Sequence, residues 1–199
     1  MGLGSSVLSR DVSLPGNAMS GVHTYQYDLS DRLVSWTDPS AVVSGYAWDG
    51  RGNRLSAGPD TYTYDARNRI SSGPDGAYTY TARGTLSLVD DGVQAVVYGF
   101  DSLGRLTSFD DGVDSVAYLY DGLGRVATRN GSPFTYNGFS LDPVSDGTFT
   151  YGRSPGGRLV SQSDGVTSLL AGLDRHGDLS FLFTAAGVVS DTAVFDPFG

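Results

Sequence analysis

Aromatic residues at alternate positions, followed by an aspartate, recur along the chain and set its pattern of apolar and polar positions. Side chains at positions i and i+2 of an extended chain lie on one face, so each copy predicts a strand with one strongly apolar side. Successive copies start 15 to 21 residues apart. Six repeats open at Tyr25-Gln26-Tyr27-Asp28, Tyr46-Ala47-Trp48-Asp49, Tyr62-Thr63-Tyr64-Asp65, Tyr78-Thr79-Tyr80-Thr81, Tyr98-Gly99-Phe100-Asp101 and Tyr118-Leu119-Tyr120-Asp121, and weaker seventh and eighth copies open at Phe134-Thr135-Tyr136-Asn137 and Phe149-Thr150-Tyr151-Gly152.

The residues after each aromatic pair predict a tight turn and a returning strand. The aspartate ends the strand, because its carboxylate can accept a hydrogen bond from the backbone N–H two residues on. A glycine follows in the best copies and permits the positive φ that such a hairpin needs. Arg-Leu or Arg-Val then opens the next strand, with the aliphatic side chain inward and the arginine outward. The turn residues identified in this way are Asp28, Asp49, Asp65, Asp101, Gly104, Asp121 and Gly124.

Further turn residues at both ends of the strands predict that the chain is a continuous antiparallel meander. Asn53 and Asn68 precede arginine in the second and third repeats, and asparagine tolerates the left-handed conformation. At the other ends of the strands, Asp-Gly and Asn-Gly pairs are strong hairpin signals. Residues 166–171 are expected to form a strand rather than a helical turn. These turn pairs are Asp91-Gly92, Asp111-Gly112, Asn130-Gly131, Asp146-Gly147 and Asp164-Gly165, with Pro59-Asp60 and Pro74-Asp75-Gly76 in the shorter repeats.

Composition supports an all-β chain and excludes several classes of function. All 22 acidic residues are Asp and all 13 basic residues are Arg, so the helix formers Glu and Lys are both absent. The net charge of -9 argues against binding to nucleic-acid phosphates. The absence of cysteine excludes disulfides and cysteine-based zinc sites. No apolar stretch is long enough to span a bilayer, and the first twenty residues do not resemble a signal peptide.

The repeats resemble the YD repeats of the RHS family, whose pattern is close to Tyr-x-Tyr-Asp-x-x-Gly-Arg-Leu. The resemblance runs from Tyr25 to Gly199, and the fifth and sixth repeats match almost letter for letter. Near the C-terminus, the segments 173–179, 186–189 and 195–199 are similar to the approach to the RHS-associated core. The family includes bacterial polymorphic toxins, wall-associated proteins, the C component of Tc toxins and the teneurins. Their repeats wind into a spiral strip of β-sheet that forms a hollow shell.

The resemblance implies a partial shell without enzymatic activity. We expect an N-terminal Gly/Ser-rich, poorly ordered segment at 1–22, a hairpin array at 23–165, and a degenerate last repeat at 166–199 that leads into a core absent from this chain. Eight or so repeats are few for a closed shell, so unpaired strand edges invite association. The implied partners are the rest of the shell and a C-terminal toxin or effector. The implied location is secreted or cell-surface.

Residue chemistry leaves two alternatives to the structural interpretation, and it predicts no catalytic residue, metal or cofactor. The aromatic pairs are interpreted as cross-strand packing, although they could also form a carbohydrate-binding or adhesion surface. Asp196, in the Asp-Pro-Phe-Gly ending, could belong to a fragment of a self-cleaving aspartyl autoprotease, but the second aspartate of the family lies outside the chain. We interpret it as the cap of a last turn. His23 and His176 match no ligand spacing, and no calcium-binding loop occurs.

Overall fold

The computed structural model describes residues 8–14, 16–174 and 176–198, and this part of the chain contains strands and turns but no helix. The predicted all-β fold is therefore confirmed. The strands are β1 Ser9–Val12, β2 Gly21–Tyr27, β3 Leu33–Thr37, β4 Val43–Trp48, β5 Arg54–Ala57, β6 Asp60–Thr61, β7 Thr63–Tyr64, β8 Ile70–Gly73, β9 Gly76–Tyr80, β10 Leu86–Asp90, β11 Ala95–Phe100, β12 Leu106–Asp110, β13 Ser115–Tyr120, β14 Val126–Arg129, β15 Ser132–Pro133, β16 Thr135–Tyr136, β17 Pro143–Ser145, β18 Thr150–Arg153, β19 Leu159–Ser163, β20 Ser168–Leu173, β21 Leu179–Phe183 and β22 Val189–Thr192.

Hydrogen bonding groups these strands into three antiparallel sheets, of six, nine and seven strands, in which strand order follows chain order. The chain passes from β6 to β7 within one extended segment. Thr61 in its first half pairs with Ser56 of β5, whereas Thr63 in its second half pairs with Ser72 of β8. The segment from β15 to β16 behaves in the same way, between β14 and β17. The short repeats therefore continue the meander without a conventional turn at these points.

The chain divides into two compact units. The first comprises Met1–Thr79, Val89–Gly92 and Val194–Gly199, and the second comprises Tyr80–Leu88 and Val93–Ala193. In the first unit the most buried apolar side chains are Val12, Leu33 and Val89, and in the second it is Leu182. Few side chains of the described residues are therefore fully buried. Strand β13 alternates between exposed and half-buried side chains, with both of its tyrosines on the half-buried face.

Strand β1 lies in the N-terminal segment, where the sequence did not predict a strand. It pairs with β2 in the register Arg10↔His23 and Val12↔Gly21, whereas residues 1–7 lie outside the described part of the chain. His23 is only 2% exposed. Its Nδ1 accepts a hydrogen bond from Trp36 Nε1 at 3.2 Å, and its Nε2 lies 3.0 Å from the Met19 carbonyl. Nδ1 is thus an acceptor, so the ring is placed as the Nε2–H tautomer that donates to Met19. Both ring nitrogens of His23 are therefore used in hydrogen bonds to Trp36 and Met19.

Candidate functional site

Ten turns in the described residues share one backbone geometry. In each, the N–H of a first residue i donates to the carbonyl of residue i+4 at 2.8–3.0 Å, and the N–H of i+3 donates back to the carbonyl of i at 2.9–3.2 Å. The residue at i+3 has a positive φ, between 58° and 96°. This is the common three-residue hairpin loop, in which a type I turn is followed by a left-handed residue. The first residues are Asp28, Asp38, Asp49, Asp65, Thr81, Asp101, Asp121, Ser154, Asp174 and Thr184.

The aspartate at the first position binds both the turn and the arginine that ends it. Asp101 Oδ1 accepts hydrogen bonds from the N–H of Leu103 at 2.9 Å and from the N–H of Arg105 at 3.0 Å. Asp101 Oδ2 accepts from Arg105 Nε at 2.7 Å. The backbone N–H of Arg105, together with its guanidinium, holds the pKa of Asp101 below its ordinary value. Asp28, Asp65 and Asp121 make the same contacts.

The second repeat corrects one detail of the predicted turn. Asn68 has a φ of 66°, as predicted, but Asn53 does not have a positive φ, because Gly52 occupies that position with a φ of 88°. Asn53 instead stands where other repeats have arginine, and its Nδ2 donates to Asp49 Oδ2 at 2.8 Å. In the first repeat Asp31 takes the left-handed position with a φ of 58°, and no sequence signal predicted this.

The prediction that the arginines before the returning strands point outward is wrong for Arg105 and Arg125, whereas Arg158 is exposed. Arg125 is 13% exposed, and its Nε lies 2.8 Å from Asp121 Oδ2. Its guanidinium carbon lies 4.2 Å from the centre of the Tyr136 ring, in the next repeat. Arg105 lies in the same way over Tyr120, at 4.4 Å. The guanidinium is drawn inward because it bonds the aspartate through its edge and the electron-rich ring through its face.

The second aromatic residue of a repeat also donates a hydrogen bond back to the preceding repeat. Tyr120 Oη donates to the Leu106 carbonyl at 2.7 Å, and Tyr136 Oη donates to the Val126 carbonyl at 2.8 Å. In each case the acceptor is the residue directly after the arginine. Tyr64 bonds the Arg54 carbonyl, and the indole N–H of Trp48 bonds the Leu33 carbonyl. We call the chain of contacts from Asp101 through Arg105 to Tyr120, and from Asp121 through Arg125 to Tyr136, the Asp-Arg-Tyr ladder.

The aromatic residues at the first position pack across strands. Tyr98 pairs with Phe109 of β12, and their rings meet edge to face with 5.7 Å between centres. Burial raises the pKa of Tyr25 and Tyr46 above its ordinary value. Tyr62 lies under the guanidinium of Arg54 at 5.0 Å. Edge-to-face pairs of this kind add about 0.5–1.5 kcal/mol beyond the area that they bury.

The last repeats differ in register from the sequence prediction. The eighth copy was placed at 149–152, but its turn begins at Ser154, so Tyr151 holds the first aromatic position and Arg153 the second. Turns of the common geometry follow at Asp174 and Thr184. In the first of these, the N–H of His176 donates to Asp174 Oδ1 at 2.8 Å. Strand β20 spans Ser168–Leu173, which agrees with the strand expected near 166–171.

Asp196 is an exposed residue whose carboxylate holds a local turn. Its Oδ1 accepts a hydrogen bond from the N–H of Phe198 at 2.7 Å. The ring of Phe198 packs within the first compact unit, 5.1 Å from the Tyr46 ring and 4.7 Å from the guanidinium carbon of Arg54. The aspartate therefore has a role in orienting Phe198, and the sequence alone did not predict this contact.

Metal and membrane features are absent from the described residues. No group of three His, Cys, Asp or Glu side chains there is arranged to hold a metal ion. None of the described residues belongs to a helix with the length and apolar character needed to cross a membrane.

Comparison with known proteins identifies the repeat family. Among solved structures, the chain is similar to a Tc holotoxin pore of Photorhabdus luminescens, with 14% identity, a TM-score of 0.43, and coverage of 81% of this chain and 12% of that one. It is also similar to a TcdB2-TccC3 structure without its hypervariable C-terminal region, with 15% identity, a TM-score of 0.42, and coverage of 77% and 10%. The chain thus spans about a tenth of these proteins. No curated protein sequence matches it. The family profile described as Teneurin YD-shell matches residues 7–135, and the chain, with its Asp-Arg-Tyr ladder, belongs to the teneurin YD-shell family.

Proposed function

We propose that this chain is a non-enzymatic structural segment of an RHS-type secreted or cell-surface protein, and that it forms part of a β-shell which encapsulates or presents a C-terminal toxin or effector. The observation that carries the proposal is the Asp-Arg-Tyr ladder. Each rung joins the turn of one repeat to the aromatic residue of the next, so the repeats are coupled to their neighbours as in other repeat proteins.

The aspartates that looked most like reactive groups are engaged in these turns. Asp101 and Asp121 each accept two backbone hydrogen bonds and one arginine ion pair. A carboxylate held in this way has a lowered pKa, so it stays ionised and is a poor general acid at neutral pH. The arrangement of these aspartates supports a structural role in the proposed shell rather than a catalytic one.

The proposed organisation places the hairpin array at 23–165 and the approach to the RHS-associated core at 166–199. The turns at Asp174 and Thr184 keep the geometry of the array, which supports a repeat strip that extends towards such a core. The proposed partners are the neighbouring parts of the shell and the effector that the shell surrounds.

Encapsulation is tested by limited proteolysis of the protein that the complete open reading frame encodes. We expect the C-terminal part to be cut slowly in the native protein, and rapidly after Arg105→Ala and Arg125→Ala are combined. Arg51→Ala serves as the control, since Arg51 lies on an exposed turn. Cleavage of the C-terminal part at the same rate in native and urea-unfolded protein would contradict the proposal.

A glycan array with the purified chain separates the shell from an adhesion module. In the ladder, Tyr120 and Tyr136 each have one face covered by a guanidinium, which leaves less ring surface for sugar stacking. We expect no binding above background. Saturable binding to one class of oligosaccharide would favour the adhesion module instead.

A further inference from the structure

The fourth repeat keeps the common turn but lacks the residues that form the Asp-Arg-Tyr ladder in the repeats after it. Thr81 N–H donates to the Thr85 carbonyl at 2.8 Å, and the common turn is complete. Thr81 stands in the place of the aspartate and Thr85 in the place of the arginine, and their hydroxyls lie 2.7 Å apart in a hydrogen bond. Phe100 takes the place that Tyr120 and Tyr136 hold in later repeats. The carboxylate, the guanidinium and the phenol hydroxyl are therefore all absent at this position of the fourth repeat.

A cleft of about 690 Å³ opens at this rung. Thr81, Thr85 and Phe100 line it, together with Arg83 and the start of the next turn at 101–104. Threonine ends at its γ atoms, so Thr85 is too short to cover the Phe100 ring as Arg105 covers Tyr120 at 4.4 Å. The cleft therefore includes the space that a guanidinium fills in the fifth and sixth turns.

We propose that this cleft is a binding site for a guanidinium group of the kind carried by an arginine side chain. The group stacks on the face of Phe100. It donates to the Oγ1 atoms of Thr85 and Thr81. Thr81 Oγ1 already accepts a hydrogen bond from the N–H of Thr85 at 3.3 Å, and it keeps one lone pair for the ligand when its own hydroxyl donates to Thr85 Oγ1. The ladder itself supplies the precedent, because the same fold position holds a guanidinium over an aromatic ring twice. This site is independent of the shell function proposed above.

The charges around the cleft permit such a ligand. Arg83 lies at its rim, where Nη1 donates to the Ser102 carbonyl at 3.1 Å. The lining includes one carboxylate, that of Asp101, which lies 2.7 Å from Arg105 Nη2. Arg67 and Arg69 stand at the corresponding two positions of the third repeat. In the third repeat Asp65 pairs with Arg69 at 2.6 Å, and in the cleft the Thr81 hydroxyl takes the place of that carboxylate. The net charge of -9 attracts cations to the protein.

The site is tested by NMR titration of the purified chain with N-acetyl-arginine amide. We expect saturable shifts at the backbone amides of Gly84, Thr85 and Gly104. The lysine analogue is expected to bind several-fold more weakly, because a point ammonium lacks the planar fork and face. The citrulline analogue, which has the same shape without the charge, is expected not to bind. Equal shifts from citrulline and arginine would overturn the proposal.

A peptide arm distinguishes the source of the guanidinium. A pentapeptide with one arginine among glycines is titrated in parallel. Tighter binding of the peptide than of the capped amino acid indicates a site for an arginine within a polypeptide, and equal binding indicates a site for the small molecule. Both results support a guanidinium site, and the absence of saturable shifts with either probe refutes it.

Variants connect the binding to the cleft. Phe100→Leu removes the ring face, so we expect about fivefold weaker binding. Thr85→Arg supplies the missing guanidinium internally, so we expect it to abolish binding and to raise the thermal midpoint. Val166→Arg adds the same charge at a turn residue that is 95% exposed, and should leave binding unchanged. If Thr85→Arg folds and still binds the arginine probe with unchanged affinity, the proposed location is wrong.

Discussion

Replacement of Arg125 by alanine tests whether the ladder holds neighbouring repeats together. Arg125 Nη1 donates to the carbonyls of Gly138 and Ser140 at 2.8 and 2.9 Å, and the guanidinium stacks on Tyr136 at 4.2 Å. These carbonyls can bond water after the substitution, so each hydrogen bond counts at about 0.5–1 kcal/mol. The ring contact of a largely buried guanidinium adds about 1 kcal/mol. We therefore expect Arg125→Ala to lower the free energy of unfolding by about 2–3 kcal/mol.

The assay is urea unfolding followed by circular dichroism, with Arg51→Ala as the matched control. Arg51 is exposed and lies in a turn of the same geometry, so its loss should change stability by less than about 0.5 kcal/mol. Arg125→Lys keeps the charge without the planar fork and should recover only part of the loss. If Arg125→Ala and Arg51→Ala have the same small effect, the ladder is a geometric coincidence and does not stabilise the array.

Three further predictions concern the same region of the second compact unit. Gly124 has a φ of 79°, and a methyl group added there would meet only Arg105 Nη1, at 3.9 Å. Gly124→Ala should therefore lower the free energy of unfolding by about 1 kcal/mol, through backbone strain rather than a clash. Gly122→Ala, in the same turn but without a positive φ, should cost less, and equal urea midpoints for the two variants would contradict the strain argument. The carboxylates of Asp101 and Asp121 have folded pKa values below their ordinary ones. Their contribution to stability is therefore present above about pH 4 and is lost as the pH falls through the folded pKa. The thermal midpoint should drop in that acidic range, and Asp121→Asn should make it depend less steeply on pH. Tyr120→Phe removes the 2.7 Å hydrogen bond to a carbonyl of the preceding repeat and should cost about 1 kcal/mol in urea unfolding, whereas a loss of the same size in Tyr118→Phe would attribute the effect to packing rather than to that bond.

Local sequence was sufficient to predict most of the turns, because their interactions connect residues at most four positions apart. The Asp101 carboxylate accepts hydrogen bonds from the backbone N–H groups of Leu103 and Arg105, and Gly104 adopts the positive φ that the turn requires. The same reasoning failed at Asn53, where two residues could each take the left-handed position and the glycine did so. It also missed the turn at Asp38, because no glycine marks it and Ala41 has the positive φ.

The sequence by itself determined the all-β class, the positions of most turns and the face on which the aromatic pairs lie, since alternation and turn chemistry act over a few residues. Only the tertiary structure decided where the arginines go. A guanidinium packs on an aromatic ring instead of facing water only where the next repeat places a ring beside it, and the position of that ring depends on strand register. The contact of Phe198 with Arg54 and the open rung above Phe100 have the same origin. Each of these features forms between segments that are far apart in the sequence, so it is visible only once the fold has brought them together.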